Sequence, residues 1–85
     1  MTNEPQRYVK DDIDTRSLAE ICQSLPEAVR IDLRNDIIKN IGVSRGTVHY
    51  WMTGHCKPNM GSRRLVAQSV KKITGIHAHA YTLFP

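Results

Sequence analysis

At 85 residues the chain makes one domain at most, and a domain of that size buries only part of the surface its unfolded form exposes. An apolar fraction of 40% beside 24% charged residues is that of an ordinary folding domain; no apolar run reaches the roughly 20 residues of a membrane span, and Met1 to Arg7 lacks the basic-then-apolar order of a signal peptide, so a cytoplasmic protein is expected. The net charge of +4 hides a division: residues 1–40 carry six basic and eight acidic side chains, whereas residues 41–85 carry six basic and none acidic.

Residues 1–14 are polar, contain Pro5 and end in Asp11, Asp12, Ile13 and Asp14. Such a composition cannot bury enough apolar area to order itself, so a flexible N-terminal arm is expected over 1–14 and one helical domain over 15–85. From Thr15 or Ser17 onward, Leu18, Ile21, Cys22 and Leu25 recur at helical spacing until Pro26 closes the segment. Ser24 to Glu27 then has the form of a capping box, with Pro26 where its missing N–H costs nothing, and a second helix is expected to start there. Within it Val29, Leu33, Ile37 and Ile41 recur every four residues with Ile38 beside them, while Arg30, Arg34 and Lys39 take the other faces. No Gly or Pro separates Pro26 from Gly42, so both one helix from Glu27 and two short ones breaking near Asp32 fit the pattern; Gly42 ends it in either case.

Ser44 is an N-cap candidate for a helix over about 44–53, stopped by Gly54. His55 to Gly61 reads as a loop by its Pro, Asn and Gly content, and Ser62 as the cap of a last clear helix that carries Leu65, Val66, Ser69, Val70 and Ile73 and ends at Gly75. The tail from Ile76 to Pro85 contains Tyr81, Leu83 and Phe84, enough apolar weight to dock on the core. The fold class expected is all-α, a small bundle of four to five helices.

Cys22 and Cys56 lie 34 positions apart with no C-x-x-C spacing, so free thiols are expected. His55, Cys56, His77 and His79 fit no standard zinc spacing, and no metal or other cofactor is expected. The chain offers no nucleophile beside a base, no paired carboxylates outside the arm and no phosphate-cradling glycine loop, which argues against an enzyme.

The segment from Arg34 to Thr53 carries the functional signal. Ile37, Ile38 and Ile41 mark one inner face, Gly42 a turn, and Val48 with Trp51 a second inner face at i to i+3; Trp51 is accordingly read as a core anchor. The opposite side holds Ser44, Arg45, Thr47, His49 and Tyr50 with no acid among them. A basic surface without carboxylates is what phosphate neutralisation needs, because each Lys or Arg contact releases condensed counterions. The pattern Leu33, Arg34, Ile37, Ile38, Gly42, Val43, Ser44, Arg45, Thr47, Val48, Trp51 and Gly54 resembles the lambda repressor and Cro-like helix-turn-helix superfamily. Within it the chain looks most like small bacterial and phage-type members, through Ser24-Leu25-Pro26, the stretch from Val43 to Gly54, and Leu83-Phe84. It departs from the pattern at Ile38, where Ala is usual and a larger side chain would push the two helices apart, and at Gly46, which weakens the first turn by about 0.5–1 kcal/mol against Ala.

The resemblance implies sequence-specific binding of double-stranded DNA through a recognition helix at about 44–53, in a transcriptional regulator or repressor. It would act as a homodimer on a two-fold site, in the bacterial nucleoid or a phage-infected cell. Arg45 is the candidate for a bidentate guanine contact, and Ser44, Thr47, His49 and Tyr50 are the further candidates for base edges or phosphates. Lys57, Ser62, Arg63 and Arg64, just past the recognition helix, are the candidates for phosphate positioning. Two other readings stand beside this one: a DNA-binding accessory factor of a phage or mobile element, and a protein-interaction module on the same fold.

Overall fold

The computed structural model describes residues 13–85, which form five helices: α1 (Leu18–Ser24), α2 (Glu27–Ile41), α3 (Arg45–Met52), α4 (Met60–Thr74) and α5 (Ala80–Leu83). The all-α expectation holds at this level. The arm expected over residues 1–14 lies outside the described residues as far as residue 12, and Asp14 itself is fixed. Its backbone N–H donates to the His77 carbonyl at 2.8 Å, in a single parallel pairing of Asp14 with Ala78, and its carboxylate holds the Arg16 guanidinium at 2.7 Å.

The first capping box forms one element earlier than expected. Ser17 caps α1: its hydroxyl accepts from the Glu20 N–H, and the Glu20 carboxylate accepts from the Ser17 N–H at 2.9 Å. Ser24 is already helical, and its hydroxyl donates to the Ile21 carbonyl at 2.7 Å while accepting from Arg16 at 3.3 Å. With that oxygen engaged, α2 starts without a side-chain cap, at Pro26 in extended backbone. Leu25 before it is extended too, as a residue preceding proline prefers. From there α2 is one continuous helix of 15 residues to Ile41, which resolves the choice left open at Asp32. Gly42 closes it in the left-handed conformation at φ 81°, with its N–H on the Ile38 carbonyl at 2.8 Å.

The fourth helix also begins earlier than its serine suggested. Asn59 is the cap, its side-chain oxygen accepting from the Ser62 N–H at 2.9 Å, so Ser62 lies inside the first turn and Gly61 is helical. A short amide oxygen immediately after Pro58 reaches that N–H, and Ser62 is left to receive the cap rather than supply it.

α2 and α4 pack side by side as the main pair, and α1, α3 and α5 close the remaining sides. Leu18 and Ile21 from α1, Leu33 and Ile37 from α2, Val48 from α3, Val66 and Val70 from α4, and Leu83 meet in the interior. Trp51 is buried among them, and Ile38, Ile41 and Val43 are half-buried against the same core. The tail docks through Leu83 and Phe84, whereas Tyr81 stays out, stacked on the His79 ring at 5.1 Å. A polar link also joins the main pair: Asp36 accepts from Lys72 at 2.8 Å and from Asn40 at 3.0 Å, and Asn40 reaches the buried Ser69 hydroxyl at 3.4 Å. Among the described residues no helix is long and apolar enough to cross a membrane.

Candidate nucleic-acid interface

Between α2 and α3 the chain turns in three residues, Gly42 to Ser44. Ser44 is extended, and its hydroxyl accepts the Thr47 N–H at 3.1 Å, satisfying one of the amides left over at the helix start. The Thr47 hydroxyl lies 2.9 Å from that of Ser44, so the two form a closed pair at this end. Inward, α3 buries Val48, Trp51 and Met52. That fixes its rotation and sends Arg45, Gly46, His49 and Tyr50 outward at i, i+1, i+4 and i+5, one face of a helix.

These four residues line an open depression of about 430 Å³, and its fifth wall is Arg34 of α2. Arg45, His49 and Tyr50 are thereby brought together. Ser44 and Thr47 stand apart, engaged with each other at the helix start. The aromatic side extends further than the recognition segment: the Tyr50 ring lies 6.0 Å from both the His49 and the His55 rings. His55 is held by its N–H on the Tyr50 carbonyl at 2.9 Å and by its ring Nδ1, 2.8 Å from the Thr53 hydroxyl. The sequence signal for His55 was weak, because a residue following a helix stop reads as loop.

The sites expected past α3 are distributed differently. Arg63 donates its Nε to the Pro58 carbonyl at 2.7 Å, which ties the first turn of α4 to the loop before it. Arg64 is exposed beside it, and no acid lies in that first turn. Lys57 instead borders a pocket of about 180 Å³ on the Trp51 side, with Ala19, Leu83 and Phe84.

Arg34 and Arg30 are the residues that charge bookkeeping by sequence halves missed. They belong to the acidic half of the chain, yet helix periodicity separates them from its carboxylates: Asp36 faces α4 and Lys72, while Arg30 and Arg34 border the α3 side. A second hollow of about 130 Å³, lined by Cys22, Arg30, Ile31, Arg34, His49, Met52 and Thr53, adjoins the first through Arg34 and His49. Among the described residues no carboxylate lines either one. Cys22 is no nucleophile there, since burial pushes its thiol up to about 11 despite the opposing pull of Arg30, and it stays protonated at neutral pH. Among the described residues no group of three His, Cys, Asp or Glu is placed to hold a metal ion. No family model, no curated protein and no solved structure matches the chain.

Proposed function

We propose that the chain is a sequence-specific binder of double-stranded DNA, with α2, the Gly42 to Ser44 turn and α3 acting as a helix-turn-helix of the lambda repressor and Cro-like kind. The observation that carries this reading is the exposed face of α3. Arg45, His49 and Tyr50 stand together with Arg34 on a surface that no carboxylate of the described residues lines, on a helix whose other side is locked into the core by Val48 and Trp51. A duplex needs that combination, since the reading side chains must be held rigidly enough to meet base edges and no acid may oppose the phosphates.

In this arrangement Arg45 enters the major groove and donates two hydrogen bonds to guanine O6 and N7, while His49 and Tyr50 contact neighbouring bases or the sugar-phosphate edge. Ser44 and Thr47 fix the helix start and present their hydroxyls to the strand that passes it. Arg63 and Arg64, with Ser62, hold the backbone at the start of α4, and Lys57 adds charge from the loop. One copy offers few base contacts, so two copies bind a two-fold site with half-sites about one helical turn apart, in the role of a transcriptional regulator.

Selection from a random duplex pool tests the reading, with the wild type and Arg45→Ala run in parallel. The wild type should enrich a motif and lose affinity steeply with salt, and Arg45→Ala should relax preference at one base position by about 1–3 kcal/mol. A wild type that enriches nothing and shows no salt-dependent retention sinks the proposal and leaves the fold as a protein-interaction module.

A further inference from the structure

We propose that the contact with the duplex continues beyond α3 into the groove between α2 and α3, where Arg34 and Arg30 grip successive phosphates of one strand. This rests on the DNA reading above and adds a second, sequence-independent seat to it.

Three observations converge on the groove. The two hollows share Arg34 and His49, so the exposed face of α3 runs without interruption to Arg30, and a further depression bordered by Arg30, Met52 and Thr53 extends it to Gln23 at the end of α1. Among the described residues its charge is also uncompensated: Arg30, Arg34 and Arg45 border it, no carboxylate does, and none of the three forms an ion pair with another. The acids nearest in sequence are spent or turned elsewhere: Asp36 holds Lys72, while Glu27 and Asp32 are exposed and outside the lining. Finally, Arg34 is half-buried and its Nε is covered, with no hydrogen-bond partner among the described residues. A covered donor left unpaired is costly, and a swing of the Arg34 side chain towards an acceptor arriving in the groove would relieve that cost.

The acceptor that fits is a phosphodiester. A guanidinium presents its donors as a planar fork that matches phosphate oxygens, Nε included. Arg30 and Arg34 are four residues apart on one helix, a rise of about 6 Å, which is the scale of the step between neighbouring phosphates of one strand. A polyanion lying along the groove relieves the mutual repulsion of three cations at once, whereas a single small anion relieves only part of it. The seat also has a geometric role, for a strand gripped at Arg34 is set at a fixed distance from Arg45, which shares a wall with it.

The test measures duplex affinity at about 50 and 200 mM salt for the wild type, Arg34→Gln, Arg30→Gln and the double variant, on the same selected sequence. Each lost phosphate contact lowers the salt slope by about 0.9, so each single variant should lose about three-fold less affinity than the wild type across that interval, and the double variant about ten-fold less. The enriched motif should stay the same. Thermal melting followed by circular dichroism reports folding; should Arg34→Gln fail to fold, Arg30→Gln carries the same expectation alone. Wild-type slopes in the folded variants overturn the groove while leaving the DNA reading intact. A wild type without salt-dependent duplex affinity overturns both. If inorganic phosphate raises the melting temperature of the wild type but not of Arg34→Gln, and the duplex slopes do not change, the groove holds a small anion and the strand assignment is wrong.

Discussion

Asp36 shows how one carboxylate shapes the behaviour of the α2–α4 pair. Its side chain is only 9% exposed, and the hydrogen bond from Lys72, with the Ser69 hydroxyl second, holds its carboxyl below the usual carboxylate range. A carboxyl depressed in the folded state adds stability that is fully present above the unfolded value, about 3.9, and is lost as pH falls through the lower folded value. Because Lys72 is 62% exposed, solvent screens the pair and its contribution stays under about 1 kcal/mol. Asp36→Asn should therefore lower the melting temperature slightly at pH about 7, and the gap from wild type should close on titration below pH about 4. A gap independent of pH would assign the effect to packing. Gly46 gives a sharper contrast at the same scale. A Cβ there meets nothing within 4 Å and no unusual φ opposes it, so Gly46→Ala should stabilise the fold by about 0.5–1 kcal/mol. Gly46 lines the same depression as Arg45, so if a DNA strand comes close there the same methyl should weaken duplex affinity, a split between melting and binding that a purely structural glycine would not give.

Among the elements, helix ends decide most of what was and was not legible. Gly42, Ser44 and Gly75 could be read from the sequence because each has a conformation or a bond that few alternatives satisfy, and all three stand where their chemistry puts them. The capping box expected at Ser24 and the cap expected at Ser62 fail for one reason: a serine before an apolar run signals a helix start only if its oxygen is free and its backbone extended. Ser24 spends its hydroxyl on Ile21 and Arg16, and Asn59 reaches the Ser62 amide first. Both outcomes depend on neighbours that local pattern does not show. The groove escaped for a related cause, since counting charge along the chain averages over helix faces, and Arg34 belongs with Arg45 only once α2 and α3 are packed. Two substitutions test the turn between them. Ser44→Ala removes the cap and should cost about 1 kcal/mol in urea unfolding, while Gly42→Ala, at φ 81°, should cost a similar amount through backbone strain. Little change in either variant would mean that tertiary packing, and not the cap chemistry, holds α3 in place.

At the scale of the molecule, a core this small depends on every layer that closes it. α5 is a single turn, yet Leu83 at 1% exposure fills the side of the core between α1 and α4. Leu83→Ala should cost about 2–4 kcal/mol, a large share of the roughly 5–15 kcal/mol typical of a domain, and a melting curve unchanged by it would show that the tail is dispensable. The division of the chain into an acidic and a basic half was legible from composition, but in three dimensions the halves interleave. Lys72 answers Asp36 across the main helix pair, and Arg30 and Arg34 join the basic side. The pairing of Asp14 with Ala78 has a kinetic side as well. It bolts the segment entering α1 to the segment entering α5, so the two ends of the described fold should open as one cooperative unit. In hydrogen exchange the Asp14 amide, though far from Leu83 in sequence, should then keep time with the amides of α5, and Leu83→Ala should quicken them together.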